Sequence, residues 1–256
     1  TRYISVTGVQ TCALPILLPP GVRSFGMSSL RVRPTFDEFR ALARDYTVVP
    51  VWAELLADLD TPVSAYLKLV GDGEGFLLES VEHGERWSRY SFVGHHPVAT
   101  LELRDGVITK TGQHLSPDIP LDRGMLAALD AIVAAYRAPT MPDLPPLQGG
   151  VMGYLGYDVV REVEHLPNVP HDDRRLPDAV MSIIGSMVSF DHLRQRMYLI
   201  ESVPVLQHDD SDVERLYAEA VESIAAAADR LAQPLPAPSV EPPVAGEPGP
   251  VVRSSM

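Results

Sequence analysis

The sequence predicts an α+β fold: a mostly antiparallel, sandwich-like β-sheet with peripheral helices. Three observations carry the prediction. Short apolar runs of strand composition recur between turn-prone loops, as in Phe76-Leu77-Leu78 and Val98 to Arg104. Asp105-Gly106, between two such runs, is a strong two-residue hairpin turn. Capped amphipathic segments, such as the stretch after Ser211, are interspersed among the hairpins.

In chain order, Thr35-Phe-Asp-Glu38 has capping-box spacing and predicts a helix to about Arg44. Tyr46 to Val51 reads as a strand that ends at Pro50, as an edge or strand end would. A short helix is expected over Trp52 to Asp58, then a strand from Val63 to Val70. Gly71 to Gly75 turns the chain into Phe76 to Ser80, and the aromatic–Ser–Arg run Arg86 to Gly94 returns beside it. In Val98 to Arg104, Ala99, Leu101 and Leu103 share one face; Val107 to Thr111 closes that hairpin, and Gly112 to Pro120 is loop.

Asp122 is the expected cap of a helix to about Tyr136, with Leu121 and Leu126 as a hydrophobic staple. Its buried stripe is expected to be Met125, Leu126, Leu129, Ile132, Val133 and Tyr136. Val159 to Glu164 forms a helical turn or two, and Ala179 to Phe190, apolar at both parities, reads as one central strand buried on both faces. Asp191 to Arg196 turns it into Met197 to Ser202. Ser211-Asp-Val-Glu214 is a second capping box, opening a helix to Leu231.

At 256 residues the chain suffices for one large domain or two small ones with a proper core. A net charge of −13, with Lys68 and Lys110 the only lysines, argues against a nucleic-acid partner and against an anionic membrane. Val6 to Ile16 is similar to the conceptual translation of a sequencing-library adapter, so residues 1–26 are expected to be a non-native leader with Met27 the start. Residues 27–232 are then expected to be the domain proper, and 233–256, rich in Pro and Ala, a flexible linker that implies truncation. The one cysteine, Cys12, falls in the leader, leaving no thiol chemistry or disulfide in the body. No apolar run approaches a membrane span, and a cytoplasmic location is expected.

Candidate sites are few. No nucleophile elbow, P-loop or dinucleotide fingerprint is present. His95 and His96 are expected to be surface or loop residues, pointing to opposite faces and unable to chelate one metal. Gly149, Gly150, Gly153 and Gly156 read as positions of close backbone approach, within the sheet or against a partner domain. The stretch around Glu79 and Ser80 permits two readings. One is the solvated end of an edge strand, with Arg86 and Arg89 as its rim. The other is a pocket for a small zwitterion, mostly apolar with a few placed polar groups.

The runs FLLES (76–80), RYSFVG (89–94) and GYLGYDVVREVEHLP (153–167), with Tyr46 to Val51, occur in an order and spacing that resembles the N-terminal half of anthranilate synthase component I. The resemblance covers about Leu30 to Leu231. It implies a full protein converting chorismate to anthranilate and pyruvate with Mg2+ as cofactor. Ammonia would come from a glutamine amidotransferase subunit, the second partner beside the chain's own C-terminal domain. It also implies an allosteric tryptophan site, in which Leu78, Glu79 and Ser80 form one wall and Arg89 is a candidate by proximity. The chorismate- and Mg2+-binding residues of the family lie in its C-terminal domain, so no catalysis is expected here. Two other readings stay open: the same half of aminodeoxychorismate synthase, and a stand-alone amino-acid-binding module.

Overall fold

The computed structural model describes residues 30–79, 89–112, 115–116, 118–169, 171–206 and 210–236. Its first half holds β1 (Val32–Arg33), α1 (Phe36–Leu42), β2 (Val48–Leu56), α2 (Pro62–Leu69), β3 (Gly75–Leu78), β4 (Tyr90–His95), β5 (Ala99–Arg104) and β6 (Val107–Gly112). There follow α3 (Met125–Ala135), β7 (Val151–Leu155), a 3-10 turn (Tyr157–Glu162), β8 (Ala179–Ile183), β9 (Ser186–Asp191), β10 (Arg196–Pro204) and α4 (Asp210–Leu231). Every described pairing is antiparallel. One sheet has the order β1-β2-β10-β9-β4-β3 and the other β6-β5-β8-β7, which is the expected α+β, sandwich-like class.

Strand periodicity distributes the side chains over three cores. Val51, Ala53, Val93, Val188 and Leu199 point to one face of the larger sheet, where α1, α2 and α4 cover them. The smaller sheet buries Ala99, Leu101 and Leu103 under Met125, Ala128 and Ile132 of α3. Between the sheets, Trp52, Met187, Tyr198 and Ile200 meet Ile184 and Met152. The Thr35 box closes as expected: Glu38 accepts from the Thr35 amide at 2.8 Å, and that bond holds the carboxyl below its usual pKa.

Several expectations give way to tertiary geometry. The strand expected at Val63 to Val70 is instead the helix α2 with Val70 as its C-cap, because Thr61 and Ser64 form a capping box, Pro62 opens the first turn, and Ala65 and Leu69 land together in the core. The expected helix at 52–58 is instead the continuation of β2. Val49 to Ala53 are all buried, Val49, Val51 and Ala53 under the helices and Trp52 between the sheets, and the strand runs straight past Pro50. Pro50 is tolerated because its register partner Ser202 donates its amide to Gly185 on the far side, so the missing N–H points to the open edge.

The run 179–190 is two strands in different sheets, broken at Ile184-Gly185, and not one central strand. Gly185 sits where a Cβ would lie 2.5 Å from the His96 carbonyl, so the crossover needs a glycine. α3 is capped by Glu162 and not by Asp122: the carboxylate accepts from the Met125 and Leu126 amides at 2.7 and 2.9 Å. Val133 lies outside its buried stripe at 71% exposure, and Ala128 lies within it. α4 begins at Asp210, so Ser211 is inside the helix and its N-cap falls outside the described residues. The leader at 1–26 and the linker beyond 236 also lie outside them.

Candidate functional site

Leu78 is the last residue of β3, and β3 is the outermost strand of the larger sheet. The strand forms because Phe76 and Leu77 bury on alternate faces: Phe76 packs between the sheets and Leu77 under the helices. Leu78 remains 39% exposed, and Glu79, just beyond the strand, is exposed. Ser80 and Arg86 lie outside the described residues. Leu78 is the register partner of Phe92, three positions after Arg89, so Leu78, Glu79 and Arg89 come to the same end of the β3–β4 pair.

Arg89 is not an open cation. Its guanidinium forms a fork on Asp191, with Nε to Oδ1 at 2.9 Å and Nη2 to Oδ2 at 2.5 Å, and lies 4.8 Å over the Tyr90 ring. Asp191 is 2% exposed, and burial by itself would raise its pKa; the bonds from Arg89 and the Arg194 amide hold it below the usual carboxylate range.

The register also joins residues that sequence reasoning missed. Leu78, Phe92, Ser189 and Tyr198 lie directly opposite one another on β3, β4, β9 and β10, and therefore share one face. Ser189 is fully buried there, and its hydroxyl has no hydrogen-bond partner. Phe92 could have been found from the alternation of Tyr90, Phe92 and Gly94; nothing local marks Ser189 or Tyr198. Farther along β3, a cavity of about 360 Å³ opens between the sheets, lined by Glu74, Phe76, Thr100, Met152, Tyr154 and Ser182 among others.

The histidine pair is a correction. His95 is only 6% exposed, and its Nδ1 lies 2.9 Å from that of His96, so one ring donates to the other. The left-handed backbone of His96, φ 47°, ends the strand alternation and turns the second ring back onto the first. Burial, and then His96, push the His95 pKa down to about 3, so it is neutral. In the same register row, Glu201 accepts from Ser186, and also from Ser223, at 2.8 and 2.7 Å, and burial raises its pKa. The glycine expectation resolves within the sheet at two positions. A Cβ at Gly153 would meet the Val180 carbonyl at 1.9 Å, and one at Gly156 the Asp178 carbonyl at 2.7 Å.

No protein-family model matches the sequence. Individual proteins do. Anthranilate synthase component 1 of Mycobacterium tuberculosis (strain ATCC 25618 / H37Rv) is 37% identical over 204 residues, 78% of this chain and 39% of that protein. By sequence, this chain is a relative of anthranilate synthase component 1. The component 1 of Acetivibrio thermocellus is 34% identical over 192 residues, covering 75% of this chain and 38% of the relative. That of Thermus thermophilus is 40% identical over 171 residues, covering 66% and 35%. The chain thus spans about two-fifths of the length of the component 1 relatives it matches. The solved component I of Streptococcus pneumoniae TIGR4 aligns over 66% of this chain and 36% of its own, at 24% identity and a TM-score of 0.39. No helix among the described residues is long and apolar enough to cross a membrane.

Proposed function

We propose that this chain is the tryptophan-sensing and scaffold part of an anthranilate synthase component 1. In that protein chorismate and ammonia give anthranilate and pyruvate, with ammonia supplied by a glutamine amidotransferase subunit. The relationship at 34–40% identity over 66–78% of the chain is the observation that carries the reading. The end of β3 supports it. Leu78 offers an exposed apolar surface beside the carboxylate of Glu79, the combination an amino acid with an apolar side chain and an ammonium requires. Ser80 follows with a hydroxyl for the ligand's polar end. Arg89, tied to Asp191, contributes by fixing the start of β4 beside Leu78.

Among the described residues no three His, Cys, Asp or Glu side chains converge as a cation site needs, so none is assigned to Mg2+. The steps of chorismate chemistry are likewise assigned to none of them, and this chain by itself is proposed to be inactive.

The test is Ser80→Leu in a full-length component 1 that carries this segment. The larger apolar side chain displaces a polar contact, so tryptophan inhibition is lost while turnover stays near the unmodified level. A variant still inhibited by the same tryptophan concentrations would overturn the assignment.

A further inference from the structure

The inner face of the β2–β10 pair changes character along its length. Trp52 and Ile200, register partners, help to fill the space between the sheets. The next two inward-facing pairs are Pro50 with Ser202 and Val48 with Pro204. Their smaller side chains border a cavity of about 490 Å³. Val151 and Ile183, partners on β7 and β8, line it from the other sheet, and Ile132 of α3 lines it from the side. That volume falls within the range of about 300–1,000 Å³ usual for small-molecule sites.

Hydrogen bonds brace the walls. The Thr47 hydroxyl donates to the Ala135 carbonyl at 2.6 Å and accepts from the Arg137 amide at 2.7 Å, which ties the connection after α3 to the start of β2. Ala138 and Pro139, next in that connection, form part of the rim. On the opposite wall Ser202 donates to the Gln148 carbonyl at 2.8 Å, and the Gly150 carbonyl accepts from the Ile184 amide at 2.9 Å. A pocket braced in this way spares a ligand the cost of ordering it.

The lining chemistry selects what fits. Among the described residues that line the cavity, none is Asp, Glu, Lys, Arg or His. α3 ends here, with Ile132, Val133 and its C-cap Tyr136 in the wall, and that end of a helix carries partial negative charge. A carboxylate is therefore repelled, and an ammonium finds no carboxylate to replace its water. Four prolines, Pro50, Pro139, Pro146 and Pro204, contribute rings whose C–H groups match the negative face of an aromatic ring. Ser202, 7% exposed, spends its proton on Gln148 and keeps oxygen lone pairs that can accept from an N–H or O–H.

We propose that this cavity binds an uncharged, flat aromatic molecule with one N–H or O–H donor. The site is separate from the amino-acid pocket assigned above. Leu78 shares a register row with Tyr198, whose partner on β2 is Glu54, and the cavity begins at Pro50 and runs toward the opposite end of that strand. A ring held there touches both sheets and α3 at once, and so braces that end of the sandwich.

The experiment titrates the 256-residue chain with N-phenyl-1-naphthylamine, an uncharged aromatic amine with one N–H that fluoresces in apolar surroundings. The comparison is 1-anilinonaphthalene-8-sulfonate, the same skeleton with an anionic group. Expected is saturable binding of the neutral probe, about tenfold or more tighter than that of the sulfonate, which excess L-tryptophan does not displace. Ala138→Trp and Val133→Trp obstruct the mouth from two different walls. Both positions are exposed, so the melting temperature stays unchanged while affinity for the neutral probe falls about tenfold or more. Amide NMR shifts in the unmodified chain locate the probe independently and are expected at Gly149 to Val151. Equal affinity for the two probes, displacement by tryptophan, undiminished binding to both Trp variants, or shifts confined to other residues would each overturn the proposal. The assignment of Leu78, Glu79 and Ser80 stands or falls separately, on the inhibition test.

Discussion

His95 owes its neutrality to its surroundings: burial removes the water that would solvate an imidazolium, and His96 adds a second ionisable ring at 2.9 Å. The unfolded chain binds a proton there near the ordinary value of 6.5, whereas the folded chain does so only at about 3. Protons therefore favour the unfolded state within that window, and stability falls as pH drops from 6.5 toward 3. Glu201 has the opposite sign. Its raised pKa keeps a proton in the folded state that the unfolded chain releases, so its contribution declines as pH rises above 4.5. The expected outcome is that His95→Gln flattens the acid limb of a denaturation-versus-pH curve by on the order of 2 kcal/mol. An acid limb as steep as that of the unmodified chain would refute it. None of this is legible from the dipeptide, because the left-handed turn at His96 depends on where the next strand must start.

At the scale of single elements, local chemistry proved readable and borrowed chemistry did not. Thr35 and Glu38 cap α1 from within their own four residues, so the helix start is written where it forms. α3 takes its cap from Glu162, 37 residues after Met125. Gly124, at φ 89°, leaves room for that carboxylate, since a Cβ there would sit 2.8 Å from it. Glu162→Ala is expected to lower stability by about 1 kcal/mol, the usual worth of a lost helix cap, while Asp122→Ala changes little. Urea unfolding of the two variants decides between the caps. α2 was hidden for another reason. Val63 and Val70 have strand-like side chains, but Thr61-Pro62 ahead of them and the convergence of Ala65 and Leu69 on α4 prevail. The break at Ile184-Gly185 separates two runs of identical apolar character, so only the need to change sheets marks it.

For the whole molecule, the class and most strands follow from periodicity, because each strand must bury one or both of its faces. Leu78, Glu79 and Ser80 could be singled out because they adjoin in sequence. Their neighbours Ser189 and Tyr198 could not, because the order β3-β4-β9-β10 assembles one row from residues over a hundred positions apart.

That strand order has a consequence for synthesis. β2 and β4 leave the ribosome early, yet the places beside them belong to β9 and β10, which follow Asp178. Until those strands arrive, Val49, Val51 and Val93, each 0% exposed in the finished fold, have no sheet to complete and no α4 to cover them. A nascent chain of this protein therefore waits, unprotected, until β9, β10 and α4 have emerged. Chains halted at Asp178 are expected to be digested by protease far faster than those extended through Leu231, with the change abrupt and not gradual. Equal resistance at both lengths would mean that the early strands find temporary partners of their own.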